Sequence, residues 1–321
     1  MRSLRRWSSP AVGAVVLAIV IGRLGTGPFL AGLRAVDARA VLAAAAVVLV
    51  TTLCSAWRWT IVARGLGLRL PFRAAVAAYY RALFLNLTLP GGVAGDVHRG
   101  LSHGREARDV GRALRAVVWE RVAGQVVQVV LAISVLLMLP SPVRASMPLV
   151  LAAAIAVFLG VLLIGRLRIG DGGSRWTRAR SVVAADVRDG VLRRSSLLPV
   201  LLTSVVVAVG HTITFLIAAR TAGATAPISR LVPLALVAVL ATALPNIGGW
   251  GPREGVLAWV FSAAGLGAAL GAATAVAFGV LVLAASLPGA AVLIVERLPR
   301  RRVSVARRRR FFLRPEGAAD A

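Results

Sequence analysis

Runs of about 20 apolar residues, long enough to cross the hydrocarbon core of a bilayer as α-helices, recur along this chain and constrain its fold more than any other feature. Because lipid offers no partner to backbone polar groups, only helices and closed barrels can span it. The chain is therefore predicted to be an all-α polytopic membrane protein. Six crossing helices are expected at Ala11–Leu30, Val41–Val62, Val117–Leu139, Leu149–Ile164, Leu197–Ala219 and Ala272–Val295.

The amino-acid composition agrees with a membrane protein. Hydrophobic residues make up 58% of the chain and charged residues only 16%. The formal net charge of +26 would indicate nucleic-acid binding in a soluble protein, but here the arginines lie in short stretches beside apolar runs, as in cytoplasmic loops. The single cysteine, Cys54, excludes an internal disulfide and a cysteine-rich metal site. We expect no nucleic-acid partner, no metal and no cofactor.

The arginine clusters also predict the orientation of the chain. A basic leader (1–10) precedes the transmembrane domain (11–295) and a basic tail (296–321) follows it, so both termini are predicted to be cytoplasmic. Within the domain, the polar stretch 166–194 is predicted to be a cytoplasmic loop, in which 176–192 form a short amphipathic helix. The expected location is a plasma membrane. Because every basic residue is arginine and the chain is rich in alanine, the composition is typical of a GC-rich bacterial gene.

Two further apolar stretches are interrupted by Leu-Pro and a glycine-rich turn. The first begins at Ala74 and breaks at Pro90, and the second begins at Leu231 and breaks at Pro245. Proline lacks a backbone donor and glycine allows conformations that other residues resist, so a helix must stop at both places. We assign this turn-forming role to Pro90, Gly91, Gly92, Gly95, Pro245, Gly248, Gly249 and Gly251.

The distribution of charge predicts that the two broken stretches enter the membrane from opposite faces. Arg73 and Arg105 flank the first stretch, so it should enter and leave on the cytoplasmic side. The last crossing must end inside, because arginines follow it, and the second stretch should therefore start and finish outside. Two opposed re-entrant hairpins are what an inverted repeat produces, and in transporters such breaks form the substrate site near the bilayer midplane.

Charged residues beside the breaks are the candidate binding residues. An ionised side chain at mid-bilayer costs about 2.5–3.5 kcal/mol on insertion scales, so these groups must form pairs, lie near an interface or line a wet cavity. The predicted pairs are Asp96 with Arg99, Glu120 with Arg121, and Arg253 with Glu254. Each pair has two open roles, contact with substrate or a structural ion pair. The candidate substrate-binding set is Asn86, Asp96, Arg99, Glu120, Arg121, Arg253 and Glu254.

Several polar residues have a simpler expected role. Indole rings favour the membrane interface and arginines favour the cytoplasm, so Trp57, Arg58 and Trp59, at the end of the second crossing, predict that this helix returns to the cytoplasmic side. His98 and His103 are expected in a water-facing cytoplasmic loop, and no metal site is predicted among the histidines. For Asn86, tying the broken backbone is the alternative to binding a ligand.

Three motifs occur in a fixed order and resemble a known family. They are Asn86-x-x-x-Pro90-Gly91-Gly92-x-x-Gly95-Asp96-x-x-Arg99, then Trp119-Glu120-Arg121-x-x-Gly124, then Leu244-Pro245-x-x-Gly248-Gly249-x-Gly251-x-Arg253-Glu254. With the hydropathy of residues 41–295, they resemble the lysylphosphatidylglycerol synthase transmembrane-region family, also described as flippase-like. The resemblance implies a membrane protein that handles phospholipids or polyisoprenoid lipids, and whose full-length relatives move aminoacylated lipid between leaflets.

The expected function is that of a lipid flippase or transporter, which moves a phospholipid or a polyisoprenoid-phosphate-type lipid between leaflets. Its expected partner is thus a membrane lipid, either an anionic phospholipid or a prenyl phosphate. A basic tail rather than a soluble acyltransferase-like domain follows Val295, and the sequence shows no catalytic motif, so an enzyme that makes aminoacyl lipid is not expected.

Two questions about the function stay open at the level of sequence. No P-loop motif occurs, so uphill movement would need an ion gradient, with Asp96 and Glu254 as candidate proton carriers. The alternative function is a non-catalytic scaffold or regulatory subunit, which would bind an envelope-biosynthesis enzyme through the loop 166–194. The sequence does not indicate an oligomeric state.

Overall fold

The computed structural model describes residues 21–138, 175–241 and 251–297, and within these ranges the chain is helical apart from short connections. A π-helical turn, Val187–Val191, follows the sixth helix. The all-α prediction is confirmed. The helices are α1 (Gly27–Ala35), α2 (Ala38–Gly65), α3 (Phe72–Thr88), α4 (Ala94–Glu106), α5 (Val110–Met138), α6 (Arg175–Asp186), α7 (Arg194–Thr221), α8 (Ile228–Ala241), α9 (Pro252–Ala263) and α10 (Ala268–Arg297).

Four of these helices, α2, α5, α7 and α10, are long and apolar enough to cross a membrane. They correspond to four of the six predicted crossings. The crossing predicted at 149–164 lies outside the described residues, as do residues 11–20 of the first. The start of α2 is fixed by Asp37, whose Oδ1 accepts a hydrogen bond from the backbone N of Ala40 at 2.8 Å.

Two apolar cores lie at opposite ends of α2. Ala40 and Ala44 belong to the first core, together with parts of α7, α8, α9 and α10. Trp59 belongs to the second core, together with parts of α3, α5 and α7. Phe215, near the end of α7, lies in the first core and Val200, near its start, lies in the second, so α2 and α7 run antiparallel. The middle parts of these two helices therefore lie between the cores.

The first Leu-Pro break is a turn between α3 and α4, and these two helices pack against each other. Gly91 and Gly92 have φ angles of 94° and 67°, a region that glycine enters without steric cost. Gly95 packs directly against the backbone of Ala82, where a Cβ atom would have no room. The turn thus folds α4 back onto α3.

The second break lies between α8 and α9, which also contact each other. Residues 242–250, and with them Pro245, Gly248 and Gly249, lie outside the described residues. Gly251, with a φ of 113°, directly precedes α9, and Pro252 occupies the first turn of that helix. Both breaks are therefore followed by a helix that packs on the helix before the break.

The segment predicted as an amphipathic helix forms α6 and the π-helical turn, and it is docked on the bundle. Asp186 Oδ2 accepts hydrogen bonds from Arg115 Nε at 2.6 Å and from Trp119 Nε1 at 3.2 Å, both on α5. In the π-helical turn, a hydrogen bond from the exposed Arg188 lowers the pKa of the neighbouring, exposed Asp189.

Candidate binding site

Asp96, in the first turn of α4, ties together both sides of the first break. Its Oδ1 accepts a hydrogen bond from Arg99 Nε at 2.9 Å. Its Oδ2 lies 2.7 Å from Arg121 Nη2 and accepts a further hydrogen bond from Asn86 Nδ2 at 3.0 Å. Asn86 Oδ1 in turn accepts a hydrogen bond from the backbone N of Gly95 at 2.7 Å. Asn86 therefore links the end of α3 to the start of α4.

Glu120, on α5, is fully buried and binds two arginines. Its Oε1 accepts hydrogen bonds from Arg58 Nη2 at 2.6 Å and Nε at 3.0 Å, and its Oε2 accepts one from Arg99 Nη2 at 2.7 Å. The hydroxyl of Tyr79 donates to Oε1 at 3.1 Å. Five of the seven predicted site residues thus meet in one network, which we call the first-break cluster: Asn86, Asp96, Arg99, Glu120 and Arg121, joined by Arg58 and Tyr79.

The pairing predicted between Glu120 and Arg121 does not form. Adjacent residues on a helix point to different faces, so the two side chains leave α5 in different directions. Glu120 points to the arginines of α2 and α4, whereas Arg121 reaches Asp96. Of the Arg121 side-chain surface, 47% is accessible, compared with none for Glu120. Arg121 is therefore the exposed cation of the first-break cluster.

Arg58, near the end of α2, lies inside the protein between α5 and α7. Only 4% of its surface is exposed, and its Nη1 donates a hydrogen bond to Ser204 Oγ on α7 at 3.0 Å. A Cβ atom on Gly124 would lie 2.8 Å from Arg58 Nη2, so the glycine provides the space that the guanidinium occupies. Trp57 is half exposed, as an interfacial residue would be.

Arg99 is fully buried between aromatic rings. Its Cζ lies 4.5 Å from the ring centroid of Trp59 and 4.4 Å from that of Tyr79, within the range of cation–π attraction. The Trp59 ring also contacts the imidazole of His103 edge to face at 5.8 Å. Trp59 and His103 are both buried, and His103 lies within α4, so the position expected for His103 in a water-facing loop is wrong.

The remaining predicted residues, Arg253 and Glu254, pair with each other at the start of α9. Arg253 Nη2 lies 2.5 Å from Glu254 Oε1, and Nε lies 3.1 Å from the same atom. Glu254 Oε2 accepts a hydrogen bond from the backbone N of Gly251 at 2.6 Å and so caps α9. Arg253 also packs over Phe278, and a Cβ on Gly279 would lie 2.6 Å from its Nη2.

A cavity of about 230 Å³ lies between the first-break cluster and the Arg253–Glu254 pair. Arg58 and Arg121 of the first-break cluster line it, and so does Arg253 of the pair. The cavity includes the middle parts of α2 and α7, so it lies between the two apolar cores. Further polar side chains line it: Thr51, Thr52, Ser55, Tyr79, Asn86, Gln125, Gln128, Ser204, His211 and Thr214.

Around this cavity the arginine side chains contact the open space, and the carboxylates that bind them lie deeper in the protein. Three arginines are among the described lining residues, and no carboxylate is. Glu120 and Glu254 are fully buried behind the arginines that they bind. The guanidinium group presents several donors in a planar fork that matches phosphate oxygens. The cavity is thus suited to an anionic, phosphate-bearing group. In the ranges that the structure covers, no cluster of His, Cys, Asp and Glu could hold a metal ion.

Several lining residues were missed by sequence reasoning, although their spacing carried a signal. On α5, Arg121, Gln125 and Gln128 recur at helical spacing, so they share one face of an apolar helix. Polar residues on α2 repeat the pattern from Thr51 to Arg58. A polar stripe along a membrane-crossing helix indicates a face that is turned away from lipid.

The comparison with known families agrees with this picture. The model of the family described as lysylphosphatidylglycerol synthase TM region matches residues 7–314, nearly the whole chain. The chain belongs to this family. The resemblance seen in the three sequence motifs is confirmed, and the four spanning helices are those of an integral, multi-pass membrane protein of the lysylphosphatidylglycerol synthase TM-region family. Neither a curated protein nor a solved structure matches the chain.

Proposed function

We propose that this protein moves an anionic lipid, a phospholipid or a polyisoprenoid-phosphate-type lipid, between the leaflets of a bacterial plasma membrane. The observation that carries the proposal is the arginine-lined cavity at the middle of two spanning helices. A phosphate headgroup crosses hydrocarbon only at a high cost unless charged and hydrogen-bonding groups replace its water. The cavity supplies both, while the lipid tails would stay in the bilayer. No catalytic role is part of the proposal.

In this proposal the two breaks are re-entrant hairpins of opposite orientation, related as an inverted repeat, and both termini are cytoplasmic. Asn86 and Gly92, from the first break, line the same cavity as Arg253, from the start of α9. In transporters with inverted repeats, two broken segments typically meet at one site. This convergence supports a substrate path between the breaks.

Arg121 is the residue that we expect to bind the phosphate first. Among the described residues it has one ion-pair partner, Asp96, and it is far more accessible than Arg58 or Arg253. If phosphate replaces that partner, Asp96 keeps its bonds with Arg99 and Asn86. The exchange therefore leaves no buried carboxylate unpaired, which would be costly. If movement is coupled to a proton gradient, Asp96 and Glu254 stay the candidate carriers.

The test is transbilayer movement of labelled phosphatidylglycerol and a labelled prenyl phosphate in proteoliposomes. We expect the native chain to accelerate movement of at least one of them. Arg121→Gln and Arg253→Gln should each slow it about tenfold or more, because a hydrogen bond to a charged group contributes about 1.5–3 kcal/mol. Arg230→Gln removes an exposed arginine of α8 outside the cavity and should retain the native rate.

A folded native chain that accelerates neither lipid would contradict the proposal. Copurification of an envelope-biosynthesis enzyme with that chain would then favour the scaffold function. Equal losses of rate in Arg121→Gln and Arg230→Gln would also contradict it, because the cavity would then have no special part in movement.

A further inference from the structure

We infer that the cavity selects lipids whose headgroup carries phosphate without a cationic amine, and that it rejects aminoacylated lipids such as lysylphosphatidylglycerol. This inference rests on the proposed function and names the substrate class of the same site. It runs against the lipid that the family description mentions, so it needs support from the charges of this chain itself.

The first support is the sign of the charge on the cavity wall. Arg58, Arg121 and Arg253 line the cavity, and the described lining residues include no Asp or Glu. Residues 242–250, which connect α8 and α9, contain no acidic residue in the sequence. An ammonium group that enters this space would meet cations and neutral polar groups, and like charges repel more strongly in a low-dielectric site than in water.

The second support is that the nearby carboxylates are already engaged. Both oxygens of Glu120 bind arginines, and Glu254 is shared between Arg253 and the backbone N of Gly251. Neither of these two carboxylates has any exposed surface. The third carboxylate, Asp96, has a side chain that is 13% exposed, and it is bound by Arg99, Arg121 and Asn86. A cationic headgroup could reach Glu120 or Glu254 only by displacing a buried arginine from its carboxylate partner. At Asp96 it would compete with both Arg99 and Arg121.

The third support is the net charge of the first-break cluster. Three arginines, Arg58, Arg99 and Arg121, face two carboxylates, Asp96 and Glu120, so one positive charge is in excess. The Arg253–Glu254 pair is neutral. A phosphate headgroup would balance the excess charge. Lysine esterification turns the net negative charge of phosphatidylglycerol into a net positive one and would increase the imbalance.

The experiment measures binding of phosphatidylglycerol and of lysylphosphatidylglycerol with identical acyl chains to the purified full chain, by native mass spectrometry. We expect the native chain to bind phosphatidylglycerol at least about tenfold more tightly. Because the chain carries a net charge of +26, its surface also attracts anionic lipid, so each result needs a variant with the same charge change elsewhere.

Arg121→Gln and Arg230→Gln supply that comparison, since each removes one arginine, the first inside the cavity and the second outside it. Arg121→Gln should reduce the ratio of the affinity for phosphatidylglycerol to the affinity for lysylphosphatidylglycerol. Arg230→Gln should leave this ratio unchanged. Gln125→Glu adds a carboxylate to an exposed lining position of α5 and should increase binding of lysylphosphatidylglycerol.

Equal binding of the two lipids by the native chain, or tighter binding of lysylphosphatidylglycerol, would overturn the inference. An equal reduction of the affinity ratio in Arg230→Gln and Arg121→Gln would also overturn it. Transport of the same two lipids in proteoliposomes separates this inference from the proposed function. Selective binding of phosphatidylglycerol without movement of either lipid would refute the flippase function but not the inferred selectivity. Equal movement of both lipids would refute the inferred selectivity but not the flippase function.

Discussion

At the first break the charged side chains come from α2, α4 and α5 and bind one another across the bundle, whereas at the second break an acid and a base adjacent in sequence bind each other. Glu120 and Arg58 are 62 positions apart in the chain. Arg253 and Glu254 are neighbours, and Glu254 caps its own helix. Among the described residues, the ion pairs at the first break are thus tertiary contacts, whereas the Arg253–Glu254 ion pair at the second is local.

This difference indicates which charges contribute most to the stability of the fold. Removal of the Glu120 charge takes a partner from buried arginines on two other helices: Arg58 loses its carboxylate, and Arg99 keeps only Asp96. Removal of the carboxylate at the second break affects one arginine, which also packs over Phe278 of α10. The stability of the protein should therefore depend more on the first break.

Glu120→Gln should have the largest effect on stability. The neutral amide leaves Arg58 and Arg99 buried without a counter-charge from Glu120, and breaking a buried ion pair from one side costs about 3–5 kcal/mol. The measurement is the free energy of unfolding in detergent. The matched control is Glu106→Gln at an exposed position of α4, which should change it by no more than about 0.5 kcal/mol. A similar loss in both variants would contradict the importance of the cluster.

Glu254→Gln should destabilise the protein less, by about 3 kcal/mol, the lower end of the cost of breaking a buried ion pair from one side, because one arginine rather than two loses a counter-charge and the amide keeps an acceptor for the backbone N of Gly251. The same unfolding measurement applies. If its cost equals that of Glu120→Gln, the distinction between a tertiary and a local site is wrong.

Tyr79→Phe should have the smallest effect, a loss of about 1 kcal/mol in the free energy of unfolding. It removes the hydrogen bond to Glu120 Oε1 but keeps the ring that covers Arg99. Combined with Glu120→Gln, it should add less than its separate cost, because the two groups interact directly. Full additivity in this double-mutant cycle would show that the hydroxyl acts independently of Glu120.

The sequence predicted the all-α class, four spanning helices of the described ranges and the family, because long apolar runs and ordered motifs are local properties. It also identified most charges near the cavity, since a charge in an apolar run needs an explanation. Tryptophans flank Arg58 and arginines follow it, a pattern that indicates the cytoplasmic end of a crossing but does not reveal that Arg58 is buried against Glu120.

Which charged residues form ion pairs with each other was harder to predict than which charged residues lie near the cavity. Glu120 and Arg121 are adjacent, as Arg253 and Glu254 are, yet only the second pair forms. The difference is position in the helix: Glu120 and Arg121 lie inside α5, where neighbours diverge, whereas Glu254 lies in the first turn of α9 and folds back to cap it. A sequence does not show where a helix begins with that precision.

The glycines that face Arg58 and Arg253 have a consequence for motion. A shift of α5 along α2 by one turn, about 5.4 Å, would carry Gly124 away from Arg58 and bring a larger side chain into its place. Gly279 on α10 faces Arg253 on α9 in the same way, so a one-turn shift of α9 along α10 would also bring a larger side chain against the arginine. These glycines therefore act as positional stops. We therefore expect each of these two pairs of helices to resist a one-turn change of register.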